Sequence, residues 1–158
     1  MLFRSTTGMP WLPIAADVDA INVASARGDS ASTLVLYRRL LALRRREPAL
    51  TRGSFRMLPR QGEVLAYVRE AAPSPAPPER FLVLVNFSKT AQTYAINAEN
   101  VAALTDRGRW RVSIAVGTHA RRAVPSIDEI ALSPDEAVVI RLAAGDRTAS
   151  RRAPAARR

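Results

Sequence analysis

Cysteine is absent from this 158-residue chain, which excludes disulfides and thiolate chemistry. A single histidine, His119, leaves too few ligands for a histidine-based metal site and no partner set for a catalytic triad. No apolar run, Phe81 to Val85 included, has the length needed to span a bilayer. The opening MLFRSTTGMPW carries one Arg and no apolar stretch of the size a secretory signal requires. Neither a Gly-rich phosphate loop nor an EF-hand loop can be read in the chain. The expectation from these absences is a cytoplasmic protein with no cofactor, no bound metal and no membrane partner.

The hydrophobic fraction, 47%, is enough for one small core. The formal charge of +10 rests almost wholly on arginine, with Lys89 the one lysine. Arginines cluster in three places: Arg38, Arg39, Arg44, Arg45 and Arg46 on a helix, Arg121 and Arg122 in a loop, and Arg147, Arg151, Arg152, Arg157 and Arg158 in a low-complexity tail. Such a tail is expected to be disordered and to bind polyanions weakly and in a salt-dependent way. No nucleic-acid motif accompanies it, so no specific nucleic-acid partner is expected.

Residues 1–28 carry little periodicity, being punctuated by Gly8, Pro10 and Pro13, with Trp11, Ile14, Ile21 and Val23 as isolated apolar anchors. An irregular segment of that length reads as a loop made to cover something else. Asp29, Ser30 or Ser32 can cap the helix that follows, which is predicted from about Ser32 to Arg46. Leu34, Tyr37 and Leu41, with Leu36, Leu40 and Leu43, give it a broad apolar face, and Pro48 marks its end.

After Gly53 the period changes to two. Strands are predicted at Ser54–Leu58, Glu63–Glu70, Arg80–Phe87, Thr90–Ile96, Arg109–Val116, Ile127–Leu132 and Ala137–Leu142. Gln61-Gly62 is the turn between the first two, and Ala71–Glu79 is a Pro-rich connector. The third strand, nearly all apolar, should be central, with Thr90–Ile96 pairing back onto it across Ser88-Lys89. The fold class expected is mainly β: an antiparallel Greek-key β-sandwich preceded by an irregular loop and one amphipathic α-helix.

The acidic residues do not assemble a catalytic pair in the sequence. Asp17 and Asp19 lie in the irregular segment, Asp128 and Glu129 point apart in any regular structure, and Asp135 and Glu136 sit at a turn where a solvated role is simplest. Asp29 reads as a helix cap and His119 as a loop residue. Trp110 and Tyr67 fit a sandwich core at period two, and Asn86 fits a strand end fixed by side-chain hydrogen bonds. Trp11 stands apart as a residue that either braces its loop or faces a sugar.

An ordered series of short motifs carries a resemblance. Thr6-Thr7-Gly8-Met9-Pro10-Trp11-Leu12-Pro13, Ile21-Asn22-Val23, Tyr37-Arg38-Arg39-Leu40-Leu41-Ala42-Leu43-Arg44, Pro48-Ala49-Leu50 and Gly53 come first. Val64-Leu65-Ala66-Tyr67-Val68-Arg69, Leu82-Val83-Leu84-Val85-Asn86-Phe87-Ser88 and Leu132-Ser133-Pro134-Asp135-Glu136-Ala137 follow. Over roughly Thr6 to Leu142 this series resembles the end of bacterial α-glucosidases and oligo-1,6-glucosidases of the α-amylase superfamily, glycoside hydrolase family 13. Related trehalose-forming and sucrose-isomerising enzymes share much of it.

The resemblance implies that residues 1–52 correspond to the last loop and eighth helix of a (β/α)8 barrel. It implies that 53–143 is the C-terminal β-sandwich and 144–158 a basic tail. The family cleaves α-glucosidic bonds by a retaining mechanism with an Asp, a Glu and a second Asp, all on barrel strands expected to precede this chain. No catalytic, cofactor-binding or metal residue is therefore carried over, and the chain alone is expected to be inactive. The partners expected are a separately encoded catalytic barrel or a second copy bound through helix 32–46, with small α-glucosides binding only in a complete enzyme. The competing expectation is a stand-alone carbohydrate-binding or protein-interaction module.

Overall fold

Polar capping, not apolar burial, organises the first residues of the computed structural model, which describes residues 11–72, 79–96, 110–121, 123–124 and 127–144. Motif residues 6–10, most of the Pro-rich connector, Arg122 and the tail from residue 145 lie outside the described residues. So does the expected strand start at Arg109. The Asp17 carbonyl accepts from Ala20 N (2.9 Å) and Ile21 N (2.8 Å), closing a turn. Asn22 then caps α1 (Val23–Gly28): its Oδ1 accepts from Ser25 N at 2.9 Å, while Asn22 N donates back to Ser25 Oγ at 3.2 Å. This short helix corrects the reading of residues 1–28 as irregular. A reciprocal capping box starts a helix without any apolar period.

Ser32 Oγ accepts from Val35 N at 3.2 Å at the head of α2 (Thr33–Arg46). Asp29, expected as a cap for that helix, instead ends α1 as its C-cap and turns its Oδ1 to Ala31 N at 2.8 Å. The apolar stripe of α2 is narrower in practice than its sequence suggests. Leu43 is its buried residue, whereas Tyr37 is 62% exposed and Leu41 38%. Pro48 both closes α2 and opens α3 (Pro48–Thr51), with Glu47 as N-cap, so three helices are described where one was expected. Proline suits a first helical position because its missing N–H would find no intrahelical partner there. The chain divides into two units, Met1–Arg39 and Leu40–Arg158, with the division inside α2.

Seven strands follow: β1 (Ser54–Met57), β2 (Val64–Glu70), β3 (Arg80–Asn86), β4 (Gln92–Ala95), β5 (Trp110–Gly117), β6 (Glu129–Leu132) and β7 (Ala137–Ala144). They form an antiparallel five-stranded sheet in the order β1-β2-β3-β7-β5 and a two-stranded sheet of β4 and β6. The β1–β2 hairpin turns at Gly62, whose φ of 55° suits glycine. β3 is central, as its apolar run predicts. The expected β3–β4 hairpin does not form. β3 already has β2 and β7 on its two edges, and the chain crosses at Asn86–Thr90 to pair β4 with β6 in the other layer.

Alternation explains the core. Val64, Ala66, Val68, Leu82, Leu84, Val138, Ile140 and Leu142 face Tyr94, Ile96, Ile130 and Leu132 of the small sheet. Burying each large aliphatic side chain contributes roughly 1.5–3 kcal/mol. Tyr94 is fully buried and donates its hydroxyl to Pro59 O at 2.8 Å, which satisfies its polar end. Trp110 is half-buried against this core, as expected. Tyr67 is not in it. Its parity in β2 turns it to the outer face, where it stacks on Phe55 with centroids 5.1 Å apart. A second, smaller cluster on that outer face joins Leu43, Ala49 and Phe81.

Candidate functional site

The most organised polar cluster lies where the β6–β7 turn meets the end of β3. Glu136, only 1% exposed, accepts from Arg121 Nε and Nη2 at 2.9 Å each and from Ser133 N at 2.7 Å. Burial pushes its carboxyl up. The hydrogen bonds from Arg121 and Ser133, with the charges of Arg121 and His119, outweigh that and hold it below its ordinary 4.5. This corrects the expectation of a solvated Glu136. A bidentate guanidinium and a backbone N–H satisfy the carboxylate, so burial is tolerated.

Asn86, also 1% exposed, staples the same corner. Its Nδ2 donates to Thr90 O (2.9 Å) and Ser133 O (2.8 Å), and its Oδ1 accepts from Ser88 N (2.9 Å). The expected strand-end role of Asn86 is thus met across two turns. Asp135 adopts φ 52° and pairs with Lys89 at 2.8 Å, both side chains exposed. His119 is an exposed loop residue whose Nδ1 lies 3.0 Å from Thr118 Oγ1.

The arrangement suits structure rather than proton transfer. Glu136 is committed to Arg121, and a shallow groove beside it is lined by Ala91, Ala123, Ile130, Leu132 and Pro134, with Arg121 the cation and Glu129 the carboxylate. Retaining cleavage of a glycosidic bond needs two carboxyl groups roughly 5 Å apart across the sugar. Asp17 and Asp19 are exposed in the first unit, Asp128 is exposed just before β6, and Glu129, the exposed first residue of β6, lines the groove with no second carboxylate among its described lining residues. Among the described residues there is no metal-binding cluster of His, Cys, Asp or Glu, and no helix is long and apolar enough to cross a membrane. Trp11 is 91% exposed.

Sequence reasoning passed over the ion pairs of two further arginines, the buried Arg80 and the half-buried Arg141. Arg80, 4% exposed, bonds Glu70 Oε1 at 2.8 Å and lies 4.8 Å from the Trp110 ring centroid. Arg141 bonds Glu47 and, at 3.0 Å, Glu79. Period-two parity was the available signal. Arg80 shares a face with Leu82 and Leu84, and Glu136 with Val138 and Ile140.

No protein-family profile matches the chain. Curated relatives do. A probable oligo-1,6-glucosidase of Bacillus subtilis (strain 168) is 38% identical over 85 residues, 53% of this chain and 14% of that protein. A probable α-glucosidase of Rhizobium meliloti (strain 1021) is 34% identical over 106 residues, 67% of this chain and 18% of that protein. The crystal structure of Bacillus licheniformis trehalose-6-phosphate hydrolase matches with a TM-score of 0.72 at 23% identity, a likeness of fold. That match covers 87% of this chain and 23% of the hydrolase. The chain thus spans less than a quarter of the length of these relatives.

Proposed function

We propose that this chain, which is homologous to the α-glucosidase-type enzymes of glycoside hydrolase family 13, serves as the C-terminal, non-catalytic part of such an enzyme. Its role is to support a catalytic barrel that performs retaining hydrolysis of α-glucosidic bonds in small oligosaccharides. The observation that carries this reading is the match itself: an antiparallel sandwich related to under a quarter of each relative, with no cleft carboxylate pair among the described residues. The outer face of the five-stranded sheet adds support. Phe55 and Met57 of the edge strand β1 are 57% and 51% exposed there, apolar side chains of the sort that mark a contact surface.

In this reading residues 1–52 are the last barrel loop and helix, 53–143 the sandwich and 144–158 a basic tail, in the cytoplasm. The partner is a separately encoded barrel, or a second copy meeting helix 32–46. The test is hydrolysis of p-nitrophenyl α-glucoside, maltose and isomaltose by the purified chain. No turnover is expected. Turnover that follows the chain through purification and is lost in an Asp17→Asn, Asp19→Asn variant would overturn the reading.

The exposure of Trp11 favours a second reading, in which the chain binds sugar by itself through an aromatic face. Titration with maltooligosaccharides, followed by tryptophan fluorescence, tests it. A saturable change that disappears in Trp11→Ala supports binding, and a flat titration removes it.

A further inference from the structure

Three strands place Arg69, Phe81 and Arg141 in one row: Arg69 pairs with Phe81 across β2 and β3, and Phe81 with Arg141 across β3 and β7. Residues directly opposite in a sheet project from the same face. This row therefore presents a guanidinium, a ring and a guanidinium on the outer face. The elbow formed by the last turn of α2, Glu47 and α3 sits over it. Phe81 is 0% exposed beneath Leu43 and Ala49.

Each guanidinium holds a different part of the elbow. Arg69 donates to Ala49 O (3.2 Å) and Gly53 O (3.0 Å), carbonyls within and just after α3. Arg141 bonds the carboxylate of Glu47, the α3 N-cap residue, whose side chain makes no cap bond of its own. Its other nitrogen bonds Glu79 at 3.0 Å, and its guanidinium lies 5.1 Å from the Phe81 ring centroid. Gly53 permits the approach, since a Cβ there would collide with the carbonyl oxygens of Ala49 and Glu70.

We propose that Arg69 and Arg141 are positioning residues that clasp the α2–α3 elbow to the sandwich at both ends of α3, making it a rigid joint rather than a linker. Fork-shaped donors suit this role, because two directed bonds fix orientation where a single ammonium would fix only distance. The joint is a unit of local stability that can open without the sandwich opening.

Amide hydrogen exchange in the full chain tests this with the Arg69→Lys, Arg141→Lys double variant. The amides of Leu50, Thr51, Arg52 and Gly53, which donate to Glu47 O and Pro48 O, should exchange roughly tenfold faster, while Leu84 and Ile140 stay within about twofold of the parent. Equal acceleration of Leu84 and Ile140, or unchanged rates at the elbow, would overturn the clasp. If the double variant does not fold, Glu47→Leu removes the acceptor of one attachment at similar side-chain length and is read at the same amides, with the same two outcomes.

Discussion

The two units of this chain use apolar residues in opposite ways. From residue 40 onward, large aliphatic residues are sealed between two sheets, with Leu82, Leu84, Ile140 and Leu142 at 0% exposure. From 11 to 39 no residue is buried, although Trp11, Leu12, Ile14, Ile21, Val23 and Tyr37 all lie there, each more than half exposed. That segment keeps its shape through Asn22, Ser25, Asp29 and Ser32, whose side chains satisfy local backbone groups. A region rich in apolar residues yet without a core of its own has the composition of a contact surface, whereas the sandwich has the composition of a folding unit.

Substitutions should separate the two. Leu84→Ala, deep between the sheets, is expected to cost about 4 kcal/mol in urea denaturation through the cavity it leaves. Glu136→Ala should cost about 3 kcal/mol, because it strands the Arg121 guanidinium and Ser133 N. The folded carboxyl of Glu136 is held below 4.5, so the stability it contributes is fully present above pH 4.5 and is lost as pH falls through the depressed value. Thermal melts of the parent and Glu136→Gln should therefore converge below pH 4.5. A gap that is constant from pH 7 to pH 3 would show that the pair does not titrate.

In the first unit, Ser32→Ala should cost about 1 kcal/mol of helix stability by removing the bond from Val35 N, read by circular dichroism. Trp11→Ala should change overall stability by no more than about 0.5 kcal/mol, since the ring is exposed. A loss on the Leu84 scale at Trp11 would erase the contrast between the units.

Much of the sandwich was legible because period two survives in single strands. The apolar run Phe81–Val85 announced a central strand, and Gln61-Gly62 announced the turn between β1 and β2. Pairing between strands was less legible. β4 looks like the partner of β3 from their short separation, but nothing local reports that β7 has taken that edge. The α1 helix escaped notice because its signal is a polar box, Asn22 and Ser25, in a segment without apolar rhythm. Glu136 was misread because a charge beside a turn usually meets water. The parity of Val138 and Ile140 carries the inward direction, but Arg121, the partner that makes burial possible, comes 15 residues earlier. As for the candidate site, Asn86 was read correctly from its place at a strand end, whereas the outward row Arg69, Phe81, Arg141 exists only once register is known.

Limited trypsin digestion followed by intact-mass analysis tests the contrast most directly, because arginines punctuate both units. Cleavage after Arg27, Arg38 or Arg39 should precede any cleavage after Arg69, Arg80 or Arg141, leaving a resistant fragment that retains β1 to β7. First cuts at Arg69, Arg80 or Arg141, with residues 11–39 still intact, would contradict the view that the sandwich alone carries the fold.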